Sequence, residues 1–110
     1  MIRFVDWRST TVPVPAAVGV LLDDATRGQV WHAGEARWVD PPLRVNAAWL
    51  VPLRPYATAG ALRSTYRGEV PPAALADVPV GAITATVYDL ANTSGSLDEA
   101  TIFRYGVERS

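Results

Sequence analysis

No cysteine occurs among the 110 residues. That excludes disulfide bracing, thiolate nucleophiles and sulfur-ligated metal centres together, and leaves side-chain packing to hold the fold. Lysine is absent too: all ten basic residues are arginine, set against eleven acidic ones. A formal net charge of −1 provides no global field to draw the chain toward nucleic acid or an anionic membrane, so neither is expected as a partner. The single histidine is too few for an imidazole metal cluster, because zinc takes several nitrogen or sulfur ligands. Apolar runs are short as well; none approaches the roughly 18 residues of a membrane-spanning helix. Met1–Ser9 carries Arg3, Asp6 and Arg8 where a signal peptide has an apolar core, so the expectation is a soluble, unexported protein.

Hydrophobic residues make up 49% of the chain, ample for one core, and the length matches a single domain over residues 1–110. The organising stretch is Val18–Asp40. Val18, Val20 and Leu22 recur at spacing two, Asp23–Gly28 interrupts with turn chemistry, and Val30 and Trp31 resume an extended pattern. Ala33-Gly34-Glu35 then offers a second reversal, with Gly34 free to take positive φ, before a third strand through Trp38. The prediction is a three-stranded antiparallel meander in which Trp31 and Trp38 cover one end of a sheet.

Around the meander, Ile2–Trp7 reads as a first strand at a sheet edge or beneath a partner, since both faces mix apolar and polar residues. Residues 8–16 form a proline-rich N-terminal arm. Pro13 and Pro15 lack the donors a central strand needs, which predicts a crossing segment or an arm laid on a neighbouring subunit. Asn46–Leu53 alternates through Ala47, Trp49, Val51 and Leu53 as a core strand. Thr58–Tyr66 carries the spacing of a short helix ended by Gly68, and Pro71-Pro72 opens about one further helical turn over Ala73–Ala76. Gly81–Leu90 and Ala100–Val107 make a terminal hairpin joined by a polar tip, Ala91–Glu99. The fold class is therefore mainly β: a small antiparallel β-barrel or β-sandwich of about seven strands with one or two short helices.

Candidate chemistry is sparse. A general base at His32 would need an orienting carboxylate and a nucleophile that the spacing does not supply, so a sheet residue opposite in facing to Trp31 is the better reading. Asp23-Asp24 and Asp98-Glu99 are adjacent pairs in turns, where carboxylates point apart and cap backbone donors. Asn92-Thr93-Ser94 fits the N-glycosylation pattern, yet without a secretion signal it reads as turn chemistry. No catalytic, cofactor or metal residue is assigned, and the chain is expected not to be an enzyme.

What remains is a supply of tryptophan and arginine, the side chains that carry most interface energy. Trp7, Trp31, Arg37 and Trp38 are therefore candidate interface residues, joined by Pro13 and Pro15 on the arm and by Asn92 and Ser94 on the hairpin tip. Arg27-Gly28-Gln29-Val30-Trp31 with Trp49-Leu50-Val51-Pro52-Leu53 resembles the opening strand and a later core strand of the MazF-type ribonuclease toxins, which are SH3-like barrels. In that family the first motif opens the chain, whereas 26 residues precede it here, and the Arg-Pro strand between the motifs is missing. The resemblance spans two five-residue stretches and no family is assigned on it. The expected function is a non-enzymatic structural or protein-interaction component of a larger assembly. Its partners would be copies of itself or other subunits, and its most concrete form is a small bacteriophage virion protein, cytoplasmic or incorporated in the particle. The alternatives are an immunity or antitoxin-like binding protein and a small-barrel ribonuclease toxin using arginine and His32.

Overall fold

The computed structural model describes residues 3–8, 17–55, 65–76, 78 and 82–104. These contain eight strands and two 3-10 turns and no α-helix. The strands are β1 (Arg3–Arg8), β2 (Val18–Asp24), β3 (Gln29–His32), β4 (Arg37–Val39), β5 (Val51–Pro55), β6 (Thr65–Glu69), β7 (Ile83–Asp89) and β8 (Asn92–Arg104). They form a curled antiparallel sheet, a half-barrel, in the order β4-β3-β2-β5-β6-β1-β8-β7, and β2 pairs in addition with β7.

β2 is the central element. Along its whole length it pairs with β7, and its other edge is shared between β5 at Val18–Val20 and β3 at Asp23-Asp24. With both edges occupied and both faces covered, every residue but Asp23 is buried, so Val18-Gly-Val-Leu-Leu reads as a nearly unbroken apolar run. Val18, Val20 and Leu22 point into the main core, each worth roughly 1.5–3 kcal/mol of burial. The predicted meander is present, with β3 pairing β4 through Val30↔Val39, Trp31↔Trp38 and His32↔Arg37. Its second turn differs from expectation in one respect. Positive φ falls on Ala36 (55°), not on Gly34. Gly34 sits instead at a close approach: its N–H donates to the Ala48 carbonyl at 2.9 Å, and a Cβ there would lie 3.1 Å from the His32 ring.

Several other expectations are corrected. β1 is not an edge strand, because β6 and β8 flank it on both sides, with Val5 and Trp7 buried. Tyr66 and Gly68 end no helix; both lie in β6, Tyr66 opposite Trp7 and Gly68 opposite Val5, while 58–64 fall outside the described residues. Strand formation wins there because β6 fills the gap between β1 and β5, where backbones approach too closely for any side chain at position 68. A Cβ on Gly68 would come within 2.7 Å of the Pro52 carbonyl. Ala47–Trp49 is a 3-10 turn capped by the Asn46 side chain, so the predicted strand begins only at Val51. Pro72–Leu75 is the expected single turn with proline at its start.

Ala91–Glu99 is not an extended polar tip either. Leu90-Ala91 is a tight turn stabilised by the Asp89 carboxylate, which accepts the Ala91 N–H at 2.9 Å, and β8 runs from Asn92 without interruption. Tyr88 stands opposite Ser96 while Asp89 stands opposite Asn92, so Thr93–Gly95 is a bulge in which polar residues need no burial. Two strands are shared around the curl. β5 pairs with β2 through Val51–Leu53 and with β6 through Arg54-Pro55; β8 pairs with β7 through Asn92–Ala100 and with β1 through Thr101–Arg104.

The main core joins the inward residues of the strands to Val70, Ala74 and Val78. There Trp31 meets Trp38 edge-on at 5.5 Å, and the Trp38 indole N–H donates to the Ala74 carbonyl at 3.2 Å. A smaller cluster of Leu21, Val30 and Leu50 sits on the opposite face of β2, packed by Val39, Val45, Trp49, Tyr88 and Leu90.

Candidate functional site

Beside that smaller cluster opens a groove of about 930 Å³. Alternation along β2 sends Leu22 and Asp24 inward and Leu21 and Asp23 outward; with Val30 and Tyr88 these last two make the floor. One wall is the Pro41–Val45 loop, where two consecutive prolines restrict the backbone and Leu43 stands fully exposed. The other wall is Ala91–Ser96. A regular strand would present alternate residues to a groove. Here six consecutive residues line it, because the bulge turns the backbone so that the groove runs along the edge of β8.

The two neighbouring aspartates have opposite circumstances. Asp24 is buried and accepts hydrogen bonds from the Thr26 and Arg27 backbone N–H groups as well as the Arg27 guanidinium. The Arg27 contact holds its carboxyl below the ordinary aspartate range. Asp23, half-buried on the groove floor, is pushed upward by burial, with the Thr86 side chain as its hydrogen-bond partner acting in the other direction. Among the described residues no cation pairs with it. The carboxylates thus face opposite sides of the sheet and form no catalytic dyad.

His32 has a local task. Its Nδ1 accepts the Glu35 backbone N–H at 3.0 Å and its ring lies 4.3 Å from that of Trp49, which fixes the β3–β4 turn against the 3-10 turn. With Nδ1 an acceptor, Nε2 carries the proton, and its side chain is only 14% exposed. Glu35 lies 4.0 Å from Nε2, its own carboxyl held low by Arg37. Among the described residues no three His, Cys, Asp or Glu side chains group as metal ligands.

The candidate interface residues separate. Trp7 and Trp31 are buried in the chain's own core, Trp7 stacked on Tyr66 at 5.6 Å, so burial removes both from any partner surface. Trp38 is half-buried on β4, and exposed Arg37 pairs with Glu35 at 2.7 Å. Pro13 and Pro15 lie outside the described residues. Asn92 and Ser94 are exposed on the groove wall, where Asn92 Oδ1 accepts from both the N–H and the hydroxyl of Ser94. Sequence reasoning missed Asp23, Leu43 and Tyr88 as groove residues. Leu43 carried a signal: an apolar side chain after Pro41-Pro42 and beside Arg44 that belongs to no period-two pattern.

No family model matches the chain, and neither a curated protein nor a solved structure matches it. Among the described residues no helix is long and apolar enough to cross a membrane.

Proposed function

We propose that the chain is a non-enzymatic interaction component of a larger protein assembly, most concretely a small structural protein of a bacteriophage particle. Leu43 carries this reading. Single exposed apolar residues are ordinary on protein surfaces, but this one projects from a loop that two prolines stiffen, over a groove with an apolar floor. An apolar anchor held in place before binding loses little conformational freedom on docking. The fitting partners are copies of the same chain or other subunits, inside the cell or built into the particle.

A photo-crosslinking amino acid at position 43 tests this in the producing cell. Discrete protein adducts are expected, with Leu43→Asp displacing the chain from large to small sedimenting species while leaving its melting temperature unchanged. Absence of any adduct, together with sedimentation as a monomer at all concentrations, refutes it. RNA degradation that disappears in His32→Ala would replace it with the ribonuclease reading.

The finer architecture we infer is a small β-barrel in preference to a sandwich. Its support is the sequence of pairings β2–β5–β6–β1–β8–β7, from which β7 returns to β2 over seven residue pairs. Hydrogen exchange should then protect β7 amides as strongly as those of β1; rapid exchange along β7 alone would mark an open sheet.

A further inference from the structure

The geometry points to the groove between Pro41–Val45 and Ala91–Ser96 as a site for an extended peptide segment of a partner protein, read through a lysine or arginine that pairs with Asp23. This deepens the assembly reading above and rests on it.

Three observations converge. The floor combines Leu21, Val30 and Tyr88 with one half-buried carboxylate that no described cation neutralises. A carboxylate so placed disfavours the free chain through its lost hydration, and burial indeed raises its pKa; a basic side chain from outside would remove that penalty. Next, Thr93 and Gly95 on the groove wall have no residue opposite them in the β7 ladder, and with the Ser94 N–H already taken by Asn92 Oδ1 it is their backbone groups that an added strand would use. Finally, a Cβ built on Gly95 meets nothing within 4 Å, which leaves open space for a ligand at the middle of that wall.

The alternatives fit less well. A free small amine would reach Asp23 but leave the apolar floor and the Ala91–Ser96 wall uncovered. Nucleic acid is disfavoured because the lining carries a single arginine, Arg44, set against the Asp23 carboxylate on the floor, too little positive charge to hold a phosphate backbone. A peptide backbone along Ala91–Ser96 with apolar side chains on the floor and one cation over Asp23 satisfies all three groups of atoms.

Selection of a displayed random hexapeptide library against the purified full chain tests the site. The expected result is enrichment of lysine or arginine at one position by roughly tenfold, the worth of one charge-assisted hydrogen bond, with apolar neighbours. Asp23→Asn should lose the basic preference while melting no lower than the wild type, and Gly95→Val should lose recovery altogether while remaining folded. Recovery no better than the unselected library, enrichment of acidic residues, or an Asp23→Asn chain that keeps the basic preference would each overturn the proposal. Should peptide selection fail while the crosslinker at position 43 still yields discrete adducts, the groove chemistry is wrong and the assembly reading stands. Absence of adducts together with sedimentation as a monomer at all concentrations refutes the assembly reading instead.

Discussion

Gly68→Ala adds one methyl group at the tightest backbone approach in the curl, and the structure fixes what it meets. The new Cβ would stand 2.6 Å from Leu53 Cδ2 and 2.7 Å from the Pro52 carbonyl oxygen. Relief by rotating Leu53 is blocked because that side chain is buried in the main core. The carbonyl is equally constrained, since Pro52 pairs with Gly19 and a Cβ on Gly19 would itself lie 2.9 Å from Leu50. Ordinary contact begins near 3.4 Å, so β5 and β6 must separate by about 0.7 Å at the point where their short ladder, Arg54↔Arg67 and Pro55↔Tyr66, begins. Forcing an extra methylene into a packed site costs about 1–3 kcal/mol. Replacing glycine by alanine recovers about 0.4–1 kcal/mol by restricting the unfolded chain. The net expectation is a loss of about 1–2 kcal/mol, a fall in melting temperature of roughly 5–10 °C for a domain of this size. Calorimetry with parallel urea denaturation measures it, and Gly95→Ala, where nothing lies within 4 Å, is the control that should melt at or slightly above the wild type. A Gly68→Ala chain as stable as the wild type would refute the close approach of β5 and β6.

Ala36→Gly should stabilise by about 0.5–1 kcal/mol in urea denaturation, because an L-residue held at φ 55° costs about 1–2 kcal/mol and glycine's greater chain entropy offsets only part of that. Trp38→Phe keeps the ring against Trp31 but strands the Ala74 carbonyl; a loss of about 1–2 kcal/mol is expected, read from thermal melts. For Asp24, a folded pKa below the unfolded value contributes stability that is complete above the ordinary aspartate range and lost as pH falls through the depressed value; Asp24→Asn should flatten that acid limb of the melting curve. Asp23 has the opposite sign, its contribution present at low pH and lost as pH rises through the raised value, so Asp23→Asn should raise the melting temperature more at pH 7 than at pH 3.

The meander was legible because β2, β3 and β4 are consecutive, and their pairing depends only on local alternation and turn residues. Trp31 and Trp38 meeting in register follows from the same local arithmetic. β6 was not legible: Leu62 to Tyr66 carries helical spacing, and only β1 and β5, far away in sequence, make the extended form preferable. Polar composition misled at Ala91–Glu99 for a related reason, since a strand at a bulge needs no apolar face. Asp24 was readable as a cap from its turn, but Asp23 as a groove residue depends on which face of β2 is covered by the Pro41–Val45 loop, a tertiary fact. Tryptophan content pointed to an interface where two of the four rings, Trp7 and Trp31, fill the core instead.

The pairing of β1 with β8, Phe4 opposite Phe103, has a consequence for synthesis on the ribosome. β1 leaves the exit tunnel first, yet its partners are β6 and β8, so some 60 to 100 residues must follow before either edge is satisfied. At roughly 5–20 residues per second, a strand carrying Val5 and Trp7 waits several seconds unpaired. Contacts this distant in sequence also make the folding transition slow relative to a helical protein of equal length. Expression yield should therefore respond to chaperone supply and growth temperature more than to the equilibrium stability of the finished chain.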